Sequence, residues 1–152
     1  MRAAQSLVTV AFVIAALTAR AVRAQDRYPV RQLTVDPAQE GFPSWSPDGT
    51  TLVHSYLART DRGVVAGLWT IPAAGGAPRR LTDEIGEHPD WSPDGRYIVF
   101  DADSGNSIKL VSSTGGHPIR LVPAAIPISR GGQPIWSPDG THIAFDSDSR
   151  ED

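Results

Sequence analysis

The five residues Trp-Ser-Pro-Asp-Gly occur three times in this 152-residue sequence, beginning at Trp45, Trp91 and Trp136. The copies are 46 and 45 residues apart. Between successive copies lies a Gly-Gly pair that is followed by Leu-Thr or Leu-Val. Each period has room for four short strands separated by turn residues. A repeat of this length is typical of one β-propeller blade. The sequence therefore predicts an all-β fold, a partial β-propeller of four-stranded antiparallel blades.

The repeated box itself is interpreted as a turn and a packing residue. Pro presets φ at the second position of a type I turn, Gly tolerates positive φ at the fourth, and Asp can cap free backbone amides. The Trp is expected to pack between adjacent blades. Metal-binding Asp residues and sugar-stacking Trp residues are the functional alternatives, but recurrence in every unit favours a structural role. The box residues are Trp45, Pro47, Asp48, Gly49, Trp91, Pro93, Asp94, Gly95, Trp136, Pro138, Asp139 and Gly140.

The repeats predict propeller units near residues 41–82, 87–122 and 133–152, within a repeat region spanning 28–152. A leading strand is expected at residues 30–34, because VRQLT matches the fourth-strand segment PRRLT of the next unit. This amounts to about two and a half blades, whereas propellers close with about 4–8. Three explanations fit: a fragment of a longer protein, which we favour, a ring assembled from several copies, or a short array.

The first 24 residues differ from the rest. A basic residue, Arg2, precedes an apolar run at residues 7–17, and small residues follow up to Ala24. This layout predicts a signal peptide at residues 1–24 and a periplasmic or secreted protein. The alternative is an uncleaved membrane anchor. The apolar run is shorter than the ~20 residues that span a bilayer, so no stable membrane span is expected after cleavage.

Composition and motifs exclude several functions. Removing Arg2, Arg20 and Arg23 with the signal leaves 11 basic and 17 acidic residues, so a nucleic-acid partner is not expected. There is no Cys for a disulfide, a thiolate metal site or a nucleophile. The segment at residues 101–106 lacks the ligand and Gly positions of a calcium loop. The four His residues lack zinc-motif spacing, and no nucleophile–base motif is present. We expect no metal, no cofactor and no catalytic residues.

The units differ at two insertions, and these predict a binding face. The first unit has six extra residues between its second and third strands, and five extra residues precede the third Trp. In an up-and-down meander both connections lie on one face, opposite the Ser-Pro-Asp-Gly turns. Insertions on one face often mark the binding face, although drift in tolerant loops would look the same. The residues expected there are Asp61, Arg62, Glu87, His88 and Arg130.

Residues 30–152 resemble the TolB-type β-propeller repeat, through Pro-x-Trp-Ser-Pro-Asp-Gly, Ile-Ala-Phe-x-Ser, the Gly-Gly turn and Leu-Thr. The resemblance implies an exported, non-enzymatic scaffold that binds a protein or a ligand. Its partners would be envelope proteins, such as a peptidoglycan-associated lipoprotein, or further propeller blades from the same chain or a second copy. Similar repeats also occur in the propellers of prolyl oligopeptidase-like enzymes. The alternative is therefore the N-terminal propeller of an exported peptidase or amidohydrolase whose catalytic domain lies elsewhere.

Overall fold

The computed structural model describes residues 30–123 and 132–147, which contain ten β-strands and no helix. The strands are β1 (Gln39–Trp45), β2 (Thr51–Thr60), β3 (Gly63–Pro72), β4 (Arg79–Thr82), β5 (Gly86–Trp91), β6 (Tyr97–Ala102), β7 (Ser107–Ser112), β8 (Ile119–Arg120), β9 (Ile135–Trp136) and β10 (Ile143–Ala144). They form two four-stranded antiparallel sheets, in the orders β1-β2-β3-β4 and β5-β6-β7-β8, and a β9–β10 pair. The prediction of four-stranded antiparallel blades is confirmed.

The apolar residues of adjacent sheets form the core. Val53 and Leu68 of the first sheet pack with Ile98 and Phe100 of the second, and Trp91 packs against this cluster. A second cluster joins the second sheet to the β9–β10 pair, where Trp136 packs beside Val99 and Ile108. A middle sheet covered on both faces needs apolar residues on both, and β6 meets this requirement with the run Ile98-Val99-Phe100.

The first strand of each four-stranded sheet carries the same irregularity. In β1, Phe42 and Pro43 together stand opposite a single residue of β2, because the register shifts between Gly41 and Ser44. In β5, the register shifts in the same way between Glu87 and Asp90. Two residues facing one is a β-bulge, which bends the strand and turns a side chain in a new direction.

Two expectations about elements were wrong. Residues 30–36 form no strand, although 30–34 match a fourth-strand sequence. A strand needs a hydrogen-bonded neighbour, and Leu33 and Thr34 instead line a pocket beside β1 and β2. The insertion of the first unit is also not a loop. It lengthens β2 and β3 to ten residues each, with the last pair at Thr60 and Gly63.

Candidate functional site

The Ser-Pro-Asp-Gly box forms a closed turn in each repeat. In the first, the Gly49 N–H donates to the Ser46 carbonyl at 2.8 Å, and Gly49 has a φ of 70°. The Asp48 carboxylate accepts from the Ser46 hydroxyl at 2.7 Å and from the Thr50 N–H at 3.0 Å. The second and third turns repeat these bonds through Asp94 and Asp139. Each carboxylate therefore serves its own turn.

These hydrogen bonds favour the ionised carboxylates. The Ser92 hydroxyl, then the Arg96 N–H and side chain, lower the pKa of Asp94 to about 2. The Ser137 hydroxyl and the Thr141 N–H likewise lower the pKa of Asp139 to about 2. The pKa of Asp48 is lowered chiefly by the Ser46 hydroxyl. Across the described ranges, no group of three His, Asp or Glu side chains could hold a metal ion.

The predicted insertion-face residues Asp61 and Arg62 lie at the exposed tip of the β2–β3 hairpin. The Thr60 hydroxyl closes this turn: it donates to the Gly63 carbonyl at 2.8 Å and accepts from the Arg62 N–H at 3.2 Å. The tip is therefore supported by the paired strands β2 and β3. Arg130, also predicted for this face, lies outside the described residues.

Glu87 and His88 lie inside β5, at its bulge. The buried Asp101, 2% exposed, accepts from the Glu87 N–H at 3.1 Å, and its other oxygen lies 3.0 Å from the His88 Nδ1. Since a carboxylate only accepts, His88 Nδ1 carries the proton in this contact. In the described part of the chain, no hydrogen bond or ion pair joins Glu87 or His88 to Asp61 or Arg62, so the predicted residues form two separate groups.

Sequence reasoning missed two residues that share the backbone conformation of His88. Phe42, His88 and Gln133 each stand three residues before a repeat Trp, and all have positive φ: 52°, 46° and 34°. Left-handed backbone is uncommon outside Gly and often marks a functional position. The three residues are of different types, so no sequence motif identifies these positions, but Pro follows each of them. Pro lacks the N–H of a regular ladder, and this recurring x-Pro was the available signal for a bulge.

These three positions line a groove of about 500 Å³ along the inner strands β1, β5 and β9. We call this the inner groove; Phe42, His88, Gln133, Pro134, Ile135 and Asp146 are among its lining residues. The rings of Phe42 and His88 lie 4.0 Å apart, tilted by 48°. The groove therefore offers an aromatic surface, an oriented imidazole and a side-chain amide, which together suit a ligand with both apolar and polar groups.

Asp90, which also lines this groove, connects the three inner strands. Its carboxylate accepts from the Ser44 hydroxyl of β1 at 3.2 Å and from the Trp136 N–H of β9 at 2.8 Å. One side chain of β5 thereby bonds to both neighbouring strands. Hydrogen bonds to an ionised group are the stronger kind, so the inner strands are held in a fixed arrangement.

Four-stranded antiparallel sheets that pack face to face, with their first strands adjacent, define a β-propeller scaffold. Solved structures agree. The chain is similar to a putative TolB from Agrobacterium tumefaciens, with 29% identity and a TM-score of 0.58, over 80% of this chain and 43% of that one. It is also similar to TolB from Acinetobacter baumannii, with 21% identity and a TM-score of 0.57, over 74% of this chain and 28% of that one.

An oligogalacturonate lyase in complex with manganese shares the fold at 18% identity, with a TM-score of 0.63 over 83% of this chain and 37% of the lyase. The chain spans less than half the length of each of these three proteins. No protein-family model matches the sequence. Within the described ranges, no helix is long and apolar enough to cross a membrane.

Proposed function

We propose that this protein is an exported, non-enzymatic β-propeller scaffold that binds a protein or a ligand at the inner groove. The observation that carries the proposal is the repeated left-handed position before Pro, which presents three different side chains, Phe42, His88 and Gln133, each three residues before a repeat Trp. The backbone conformation is the same in each repeat and maintains the fold, whereas the side chains differ and are free to recognise a ligand. Phe42 is 43% exposed, and an exposed aromatic residue in a groove is a common binding anchor.

Export and partner class rest on the sequence and on similarity to TolB. Residues 1–24 have the layout of a signal peptide, and they lie outside the described residues. The partners that this similarity suggests are envelope proteins or further propeller blades. The hairpin tip at Asp61 and Arg62 is a second candidate contact, since it is exposed and held on paired strands.

Site-specific photo-crosslinking tests the proposal. The chain is expressed with residues 1–24 in a Gram-negative bacterium, with p-benzoylphenylalanine replacing Phe42, or replacing the exposed β8 residue Ile119 as the matched control. We expect position 42 to form a discrete crosslinked product in the periplasmic fraction, identified by mass spectrometry, and Gln133→Ala to reduce its yield severalfold. A product at position 42 that Gln133→Ala leaves unchanged, or equal products at 42 and 119, would contradict the inner groove.

The same experiment tests the insertion face. Changing Asp61 to Asn and Arg62 to Gln removes both charges from the hairpin tip without altering the paired strands. If the tip contributes to binding, the crosslink yield at position 42 falls. An unchanged yield limits recognition to the inner groove and defeats a role for the tip.

The second candidate is the propeller of an exported hydrolase. One observation favours it: the fold is shared with a lyase, so such propellers occur in enzymes. There the scaffold would position a substrate while a separate domain supplies the chemistry. Reading the gene beyond the codon for Asp152 distinguishes the two candidates. A Gly-x-Ser-x-Gly or His-x-His motif in frame would favour the hydrolase, whereas envelope genes alongside would favour the binding scaffold.

A further inference from the structure

One strand position differs in chemistry between the repeats. Nine residues after each repeat Trp stand His54, Phe100 and Phe145. In the second repeat, Phe100 lies directly against Gly86: a Cβ on this Gly would meet the ring at 2.7 Å from Cε2. The residue equivalent to Gly86 in the first repeat is Glu40. The first sheet thus has a His and a Glu where the second has an apolar ring packed on a Gly.

This exchange accompanies a pocket of about 170 Å³ on the first sheet. Leu33, Leu52 and Ile71 supply apolar walls, and Glu40, His54 and Thr34 supply the polar groups. Pro43, the second residue of the β1 bulge, also lines it. The pocket is therefore mostly apolar with a few polar groups, which is the usual composition of a small-molecule site.

His54 has an unsatisfied atom. The residue is only 6% exposed, and its Nδ1 lies 3.1 Å from the Ser55 carbonyl oxygen. A carbonyl accepts, so Nδ1 carries the proton, and in the neutral ring Nε2 is left as an acceptor. Nε2 is buried and has no hydrogen-bond partner among the residues that the structure describes. Leaving a buried acceptor without a donor is unfavourable, so a ligand that donates to Nε2 would stabilise this group.

The carboxylate of the pocket also only accepts. The Glu40 carboxylate accepts a hydrogen bond from the Thr34 hydroxyl and is partly buried. No Lys or Arg lines this pocket in the described ranges. A cation beside this partly buried anion would stabilise it, because a charge pair at a partly buried site is screened less than one at an exposed site. One chemical group can both donate to His54 and place a positive charge beside Glu40.

We propose that this pocket binds an alkylammonium or guanidinium group, with its apolar stem against Leu33, Leu52 and Ile71. The group is either that of a free small amine or the end of a Lys or Arg side chain from a bound polypeptide. This pocket shares Pro43 with the inner groove, but the proposal rests on Glu40 and His54 and not on the function proposed above.

The chain itself supplies the variant that tests this site. Glu40→Gly combined with His54→Phe recreates the Gly and Phe of the second repeat, which the fold already accommodates at Gly86 and Phe100. NMR signals of the His54 ring are followed in the full chain during titration with n-butylammonium, and calorimetry gives the affinity. n-Butanol is the uncharged control, and Gln133→Ala is the control variant in the third repeat.

We expect n-butylammonium to shift the His54 signals and n-butanol to bind about tenfold more weakly or not at all. The double variant should remain folded and lose the ammonium binding, whereas Gln133→Ala should retain it. Lysine capped at both termini distinguishes the sources: binding of capped lysine favours a polypeptide side chain, and its exclusion favours a free amine. Equal binding of butanol, no shift at all, or ammonium binding that survives the double variant would overturn the proposal.

Discussion

At the scale of single residues, Asp48, Asp94 and Asp139 show how one side chain sets a local structure. Each accepts from a Ser hydroxyl two residues earlier and from a backbone N–H two residues later. The turn therefore holds its shape through the charge of the carboxylate. Because these bonds stabilise the ionised form, folding and ionisation of the three Asp residues are linked.

We predict that the protein loses stability between about pH 4 and about pH 2 through these turns. The pKa of Asp94 and of Asp139 is about 2 in the folded protein, below the ~3.9 of an unfolded chain. A lowered pKa contributes stability that is present above the unfolded value and is lost as the pH falls through the folded value. Urea unfolding midpoints at pH 7, 4 and 2 measure the loss.

The double variant Asp94→Asn, Asp139→Asn isolates the effect. It should unfold at lower urea than the wild type at pH 7, and its midpoint should fall less between pH 4 and pH 2. Asp61→Asn, at the exposed hairpin tip, is the control and should follow the wild-type profile. Parallel profiles for the wild type and the double variant would refute the linkage.

The residue scale also shows what the sequence could reveal. The turn follows from the properties of Ser, Pro, Asp and Gly, which act within a few residues of one another. The inner groove depends on Phe42, His88 and Gln133, which share a backbone conformation and no side-chain chemistry. For Phe42 and His88 this conformation accompanies a bulge opposite β2 and β6, and a motif read along the chain does not contain that pairing.

At the scale of elements, the two wrong predictions from the sequence both concerned which segments pair as strands. The six extra residues of the first unit extend β2 and β3, since β-branched and small residues there can pair across a two-residue turn. Residues 30–34 carry a strand-like sequence but form no strand. Strand propensity is realised only beside a partner, and the sequence does not say whether the partner is in place.

The contact between β5 and β6 leads to an element-scale prediction. Gly86 is buried, and a Cβ there would crowd Phe100 and approach the Asp101 carbonyl oxygen to 3.1 Å. Gly86→Ala should therefore lower the free energy of unfolding by about 1–3 kcal/mol, the usual cost of overpacking. Denaturant unfolding provides the measurement.

Gly41→Ala is the matched control in β1. A Cβ at Gly41 would meet only the Ser55 Oγ, at an ordinary 3.5 Å, so this variant should change stability by about 0.5 kcal/mol or less. Adding Phe100→Leu to Gly86→Ala should recover part of the loss by making room for the new methyl group. A Gly86→Ala protein as stable as the wild type would show that β5 and β6 can move apart without cost.

At the scale of the whole molecule, the repeat period was sufficient to predict the architecture. A unit of about 45 residues with four strands must bury both sheet faces, and stacking like units does so. The period carries no ligand information, because binding depends on the positions where the units differ. Glu40 and His54 are such positions. In the sequence they are two ordinary strand residues, and only the structure, compared with Gly86 and Phe100 of the second repeat, shows that they line a pocket.

The Trp residues test this stacking directly. Trp91 packs against the cluster between the first and second sheets, whereas Trp45, at the same repeat position, is 58% exposed. Trp91→Ala should lower the free energy of unfolding by about 3 kcal/mol, because it leaves a cavity between two sheets. Trp45→Ala should lower it by about 1 kcal/mol or less, since it removes no packed core. Denaturant titrations of both variants, at two protein concentrations, make the comparison. Equal losses would mean that the face carrying Trp45 is covered in solution, and a midpoint that rises with protein concentration would identify a second copy of the chain as the cover.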